Sequence, residues 1–175
     1  MLSGEITVLF RQATIGDVPD IIRMLADDFL GQQRESLELP PKESYIKAFR
    51  EIDADPNNEL IVATLSSTTP SDETAAAPPI QEGSKRVIGT LQLTFTPSLS
   101  YQGSKRCTVE SVRVDSDLRG KGIGREMMLW AIERAKEKGC LSIQLTTHND
   151  RKDAHRFYEN LGFKHSHAGM KLNLK

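Results

Sequence analysis

Cysteine is scarce: 2 in 175 residues. Neither Cys107 nor Cys140 has a partner at a metal-binding or redox spacing. Two cysteines also make a poor disulfide framework for a chain of this length, so both read as free thiols in a reducing compartment, and a cytoplasmic location is expected. Long apolar runs are missing as well. No stretch approaches the roughly 18 to 20 residues that a membrane-spanning helix needs, which excludes a helical span. The opening residues Met1 to Glu5 lack the basic start and apolar stretch of a secretory signal, so secretion is not expected. Charge of one sign is lacking too: 23 Lys and Arg against 24 Asp and Glu leave a formal net charge of -1. Such a chain has no global field to attract nucleic acid, which is not an expected partner, and any anion site must be local.

What is present is a globular composition, with 27% charged and 6% aromatic residues, and a length suited to one domain over residues 1–175. Ile6 to Arg11 alternates like a strand, and Thr14-Ile15-Gly16-Asp17 has the spacing of a capping box. A helix is expected to follow as far as about Phe29, with Val18, Ile21, Ile22 and Leu25 on its buried stripe. Pro40-Pro41 suits the start of a second helix that buries Tyr45, Ile46 and Phe49. Strands are expected at Glu59 to Leu65, Val87 to Thr96, Arg106 to Asp115 and Leu141 to Thr147, with a last one at Met170 to Leu174. Between the second and third of these, residues 66–86 are rich in Ser, Thr, Pro and Ala and read as a long mobile loop. Helices are expected at Gly122 to Lys138 and Arg151 to Asn160. This mixture points to an α/β (α+β) fold, with helices flanking a mostly antiparallel sheet.

The strongest chemical signal is Arg119-Gly120-Lys121-Gly122-Ile123-Gly124, set between an expected strand and a long amphipathic helix. Glycines let a ligand approach the backbone, and the amides of a helix start point at an anion. Arg119, Lys121 and Arg125 add positive charge to this short segment of a nearly neutral chain. A Walker loop would need Ser or Thr after Lys121, and a dinucleotide fingerprint would space its glycines differently. The segment therefore reads as a cradle for a pyrophosphate of another kind.

Arg119, Gly122 and Gly124 fill the Gln/Arg-x-x-Gly-x-Gly/Ala motif, and Leu145 to Asp150 followed by Ala154 to Phe163 matches a second family element. From about Val109 to Phe163 the sequence resembles the GNAT acetyltransferase superfamily. The resemblance implies acetyl-CoA as cosubstrate and a cofactor strand at Val112, Arg113 and Val114 that splays from its neighbour. It further implies that the amides of residues 119 to 124 hold the pyrophosphate, with Asn149 on the cofactor arm and Tyr158 near the thioester sulfur. Tyr158 is the general-acid candidate, its alternative role being a ring packed in the core. Glu110 stands where related enzymes often have a glutamate. Strand alternation puts it on the face of Val112 and Val114, where an apolar setting would suit a general base. Its alternative is to orient a loop or pair with a cation.

Neither a cysteine relay nor a histidine metal site has supporting spacing, so direct transfer without a metal is expected. The segment Asp153 to Tyr158 with Ser166-His167 is similar to aminoalkylphosphonate acetyltransferases and their small-amine relatives. The acceptor is accordingly expected to be a small-molecule primary amine. A protein N-terminus or lysine, or a sensor that binds acyl-CoA without turnover, stay as alternatives. Edge strands in such folds often support dimers, which leaves a homodimer open.

Overall fold

A computed structural model describes residues 6–27, 31–67 and 86–174. The Phe29 end of the first helix and positions 68–85 of the 66–86 loop lie outside the described residues. Five strands form one sheet in the order β1 to β5: β1 Ile6–Gln12, β2 Asn58–Ser67, β3 Val87–Pro97, β4 Lys105–Val114 and β5 Ser142–Leu145. Neighbours are antiparallel except β4 and β5, which run parallel. Among the described residues, four helices of more than one turn flank the sheet: α1 Val18–Ala26, α2 Glu43–Ala54, α3 Ile123–Glu137 and α4 Lys152–Glu159.

Alternation within the strands feeds two cores. Leu91, Leu93 and Phe95 of β3, with Cys107 and Val109 of β4, meet Met127, Met128 and Ala131 of α3. On the other face, Val62 and Val87 meet Val18, Ile21, Ile22 and Met24 of α1 and Phe49 of α2. The capping box forms as expected, with the Thr14 amide donating to the Asp17 carboxylate at 2.7 Å. Gly89 is what allows α3 to lie close to the sheet: a Cβ there would sit 2.6 Å from the sulfur of Met127.

Two expectations are corrected. Met170 to Leu174 forms no strand; Met170, Leu172 and Leu174 are 99%, 82% and 90% exposed. Alternation alone does not make a strand, which also needs a partner edge, and no pairing includes this segment. Glu110 also does not share a face with Val112 and Val114. Thr90 pairs with Arg113 and Gln92 with Glu110, so one β3 residue, Leu91, spans two β4 residues. The extra residue is a bulge, and Ser111 takes φ 54° in it. The phase of β4 changes there. Cys107 and Val109 before it and Val112 and Val114 after it all pack on the α3 side, leaving Glu110 and Arg113 together on the opposite face.

Glu59, 4% exposed, clamps β2 to the end of α3. Arg134 grips it through two nitrogens at 2.6 and 2.9 Å, and Lys138 reaches it at 2.8 Å. Burial pushes this carboxyl up, but the bonds from Arg134 and Lys138 outweigh burial and hold it below the ordinary value of 4.5. Its contribution to stability is therefore complete above that pH and is lost as pH falls through the lowered folded value. Glu59→Gln is expected to cost about 1–3 kcal/mol at pH 7, and thermal melts should show the gap to wild type closing below about pH 4.

Candidate active site

β5 is only four residues long, and its last pair with β4 is Val109 with Leu145. Beyond that point β4 continues alone to Val114, so the two strands part. A cavity of about 170 Å³ opens between them. Glu110, Ser111, Val112 and Arg113 line one wall; Thr146, Thr147, Arg151 and Tyr158 line the other. A smaller indentation between β2 and α2 holds about 20 Å³, room for a single water.

Tyr158 comes from α4, where its ring meets Phe157 and Phe163 edge-on at centroid distances of 5.0 and 5.9 Å. The ring packs against these two neighbours while the residue also lines the cavity. Burial raises its hydroxyl pKa, and the charges of Arg151 and Arg113 oppose that shift only in part. The hydroxyl therefore stays protonated at neutral pH. Glu110 is exposed rather than set in apolar surroundings, and it stands at the cavity mouth.

Where β4 ends, a single turn of 3-10 helix, Ser116–Leu118, leads into the glycine segment. Asp115, 1% exposed, holds this turn by accepting from the Asp117 amide and receives Arg23 of α1 at 3.1 Å and Arg86 at 2.8 Å. Burial pushes its carboxyl up, but Arg86, the Asp117 amide and Arg23 together hold it below the usual range. Gly120 and Gly122 follow with φ 75° and 85°, and a Cβ on either would meet nothing within 4 Å. The loop is therefore an open cradle in a conformation that suits glycine, ending on Ile123, Gly124 and Arg125 in the first turn of α3. The Arg125 amide donates to the Gly122 carbonyl at 2.9 Å, while those of Ile123 and Gly124 stand too early in the helix to have a partner within it. These features fit a pyrophosphate group, as in acetyl-CoA.

Not every expected residue joins the site. Arg119 turns away from the cradle: its guanidinium donates to the Val114 carbonyl at 3.2 Å and to the carbonyl and carboxylate of Asp27 at 3.1 and 2.9 Å. Asn149 is exposed in the β5–α4 connection and does not line the cavity. Tyr45 of α2 is occupied elsewhere, its hydroxyl donating to Glu35 and accepting from the Ser36 amide, both at 2.9 Å. Cys107 is buried, and burial pushes its thiol up to about 12, leaving no thiolate for a relay. Among the described residues, no three His, Cys, Asp or Glu side chains gather into a metal-holding group, and no helix is long and apolar enough to cross a membrane. Sequence reasoning overlooked Ser111, Asp115 and Arg151. Only their positions in three dimensions mark them out.

Residues 30–163 match the model of the Acetyltransferase (GNAT) family. The chain belongs to that family. Among GNAT relatives, an aminoalkylphosphonate N-acetyltransferase from Salmonella typhimurium is 39% identical over 59 residues, 34% of this chain and 38% of that protein. A glucosamine 6-phosphate N-acetyltransferase from Trypanosoma brucei brucei is 30% identical over 89 residues, 51% of this chain and 58% of that protein. The chain thus spans well under two thirds of these two curated relatives. A crystal structure described as a transcriptional regulator from Bacillus halodurans C-125 is 50% identical, with a TM-score of 0.82 over 96% of this chain and 100% of that one.

The two glycines of the GNAT motif have different requirements. Gly124 has no positive φ, and a Cβ there would make ordinary contacts with Phe157 at 3.6 Å and Val114 at 3.7 Å. Gly124→Ala should therefore keep acetyl-CoA affinity within about twofold. Gly122→Ala must adopt the left-handed conformation at a cost of about 1–2 kcal/mol, and calorimetry should find affinity about tenfold weaker.

Proposed function

We propose that the chain is an N-acetyltransferase that moves an acetyl group from acetyl-CoA directly to the primary amine of a small molecule. The observation that carries this reading is that β4 leads from the gap beside β5, where a tyrosine and a glutamate line one cavity, into the open glycine cradle. The amides from Arg119 to Gly124 would hold the pyrophosphate, and Val112 to Val114 would lie along the pantetheine arm. Bound there, acetyl-CoA supplies a thioester whose carbonyl carbon can be attacked by an amine.

The remaining chemistry falls to side chains. An ammonium has no lone pair, so the acceptor must lose a proton before it attacks; Glu110 at the mouth accepts it, directly or through one water. Tyr158, kept protonated by burial, gives its proton to the sulfur that leaves with the electrons of the C–S bond, and takes back the proton that the nitrogen sheds as the amide forms. The two relatives that are named as N-acetyltransferases for amine-bearing molecules support this acceptor class.

A second reading, in which the domain senses acyl-CoA without turnover, is favoured by the description of the Bacillus halodurans protein as a transcriptional regulator. Free thiol release from acetyl-CoA across a panel of amines separates the two. Amine-dependent release supports transfer, whereas tight binding without release supports sensing. Within the transfer reading, Tyr158→Phe should lower kcat about a hundredfold and leave the KM for acetyl-CoA within about twofold. A wild-type kcat in that variant would return Tyr158 to a packing role alone.

A further inference from the structure

The glycine cradle has little packing of its own. Gly120 and Gly122 are both left-handed, and a Cβ at either would find nothing within 4 Å. Such a loop takes its shape from its two ends. One end is Ile123, the first residue of α3, 7% exposed and part of the core. The other is the stretch from Asp115 to Arg119, where the Leu118 amide bonds the Asp115 carbonyl at 2.9 Å and the Arg119 amide bonds the Ser116 carbonyl at 3.3 Å. There α1 takes hold of it.

Arg23 and Asp27 lie one helical turn apart at the end of α1, and Asp115 and Arg119 are separated by the same number of residues. Arg23 Nη2 donates to Asp115 Oδ2 at 3.1 Å, and Arg119 Nη2 donates to Asp27 Oδ2 at 2.9 Å. Charge runs positive then negative along α1 and negative then positive along the loop. A slip of one turn in either direction would oppose two carboxylates or two guanidinium groups, so the pairs fix register as well as distance. Asp27 is also the C-cap of α1, and Arg119 bonds its carbonyl at 3.1 Å, where the helix end is negative. Arg86 reaches Asp115 as well, at 2.8 Å, which lessens the dependence of that limb on Arg23. Neither Arg23 nor Asp27 belongs to the glycine segment or lines the cavity.

We propose that Arg23 and Asp27 are positioning residues for the pyrophosphate cradle, which hold Asp115 and Arg119 from α1 so that the amides of residues 119 to 124 converge on one anion before it arrives. This rests on the reading of the cradle as the acetyl-CoA site. Affinity gains because the loop is ordered in the folded chain and not at the moment of binding. The side chains of Arg23, Asp27 and Arg119 are 42%, 36% and 48% exposed, so each pair is weak singly and the two act together.

The test titrates CoA by calorimetry into the full chain and into Arg23→Ala, Asp27→Ala and the double variant. Each single variant is expected to bind about threefold more weakly and the double about tenfold, with stoichiometry unchanged. A merely structural role would instead lower Tm and the fraction of protein able to bind, and leave the Kd of that fraction at the wild-type value. In thiol-release assays the double variant should raise the KM for acetyl-CoA about tenfold and keep kcat within about twofold. Arg50→Ala removes an exposed ion pair on α2 and should keep the wild-type Kd; a tenfold loss there would overturn the assignment to α1. A double variant that binds CoA as tightly as wild type overturns the positioning role and leaves the cofactor reading intact. Wild-type protein that does not bind CoA defeats the cofactor reading, and the positioning role falls with it. Should the double variant fail to fold, the two single variants decide by the same criterion.

Discussion

The site depends on one residue of strand too many. In most sheets a strand that pairs along its whole length keeps each side chain on a fixed face, but β4 must both continue the core under α3 and present polar groups to a cleft. The bulge at Ser111 reconciles the two. Its left-handed serine is strained by about 1–2 kcal/mol, which the β3 pairing on both sides of it outweighs. Because β5 stops at Leu145, the bulged stretch of β4 is left with a partner on one side only. That free side is the wall of the cavity.

Electrostatics then fixes the glycine segment relative to this wall. Asp115 is buried at the exit of β4 and collects Arg23 from α1, Arg86 from the start of β3 and an amide of the next turn. A buried carboxylate tolerates its desolvation only with several such partners. The same group thereby ties three separate parts of the chain to the residue from which the cradle starts. Glu59 does comparable work at the other end of α3, where Arg134 and Lys138 grip it and Lys138 also lies 5.2 Å above the ring of Phe95. The helix whose N-terminus forms the cradle is therefore anchored at both ends.

Much of this was legible in the sequence. Alternation marked β1 to β4 nearly to the residue, the capping box before α1 formed as its spacing implied, and the glycines around Gly122 lie at the helix start where their pattern put them. What alternation cannot encode is a break in itself. Nothing in Val109-Glu110-Ser111-Val112 signals an inserted residue, so Glu110 was assigned to the wrong face. Periodicity also speaks only of a segment's own faces, which is why Met170 to Leu174 resembled a strand without having an edge to join. Asp115 and Asp27 matter through partners far away in the chain, and no local spacing announces such contacts.

The side chain of Arg119 bears on how the family motif should be understood. Its position admits either arginine or glutamine, a curious equivalence if the need were for a cation beside phosphate. Here the guanidinium bonds two backbone carbonyls, those of Val114 and Asp27. Both permitted side chains are planar and offer N–H groups at a similar reach, while lysine, with charge but no planar fork, is not among them. The shared property is amide-like geometry, and the position behaves as a brace between backbone segments, to which the arginine of this chain adds an ion pair with Asp27 at 2.9 Å.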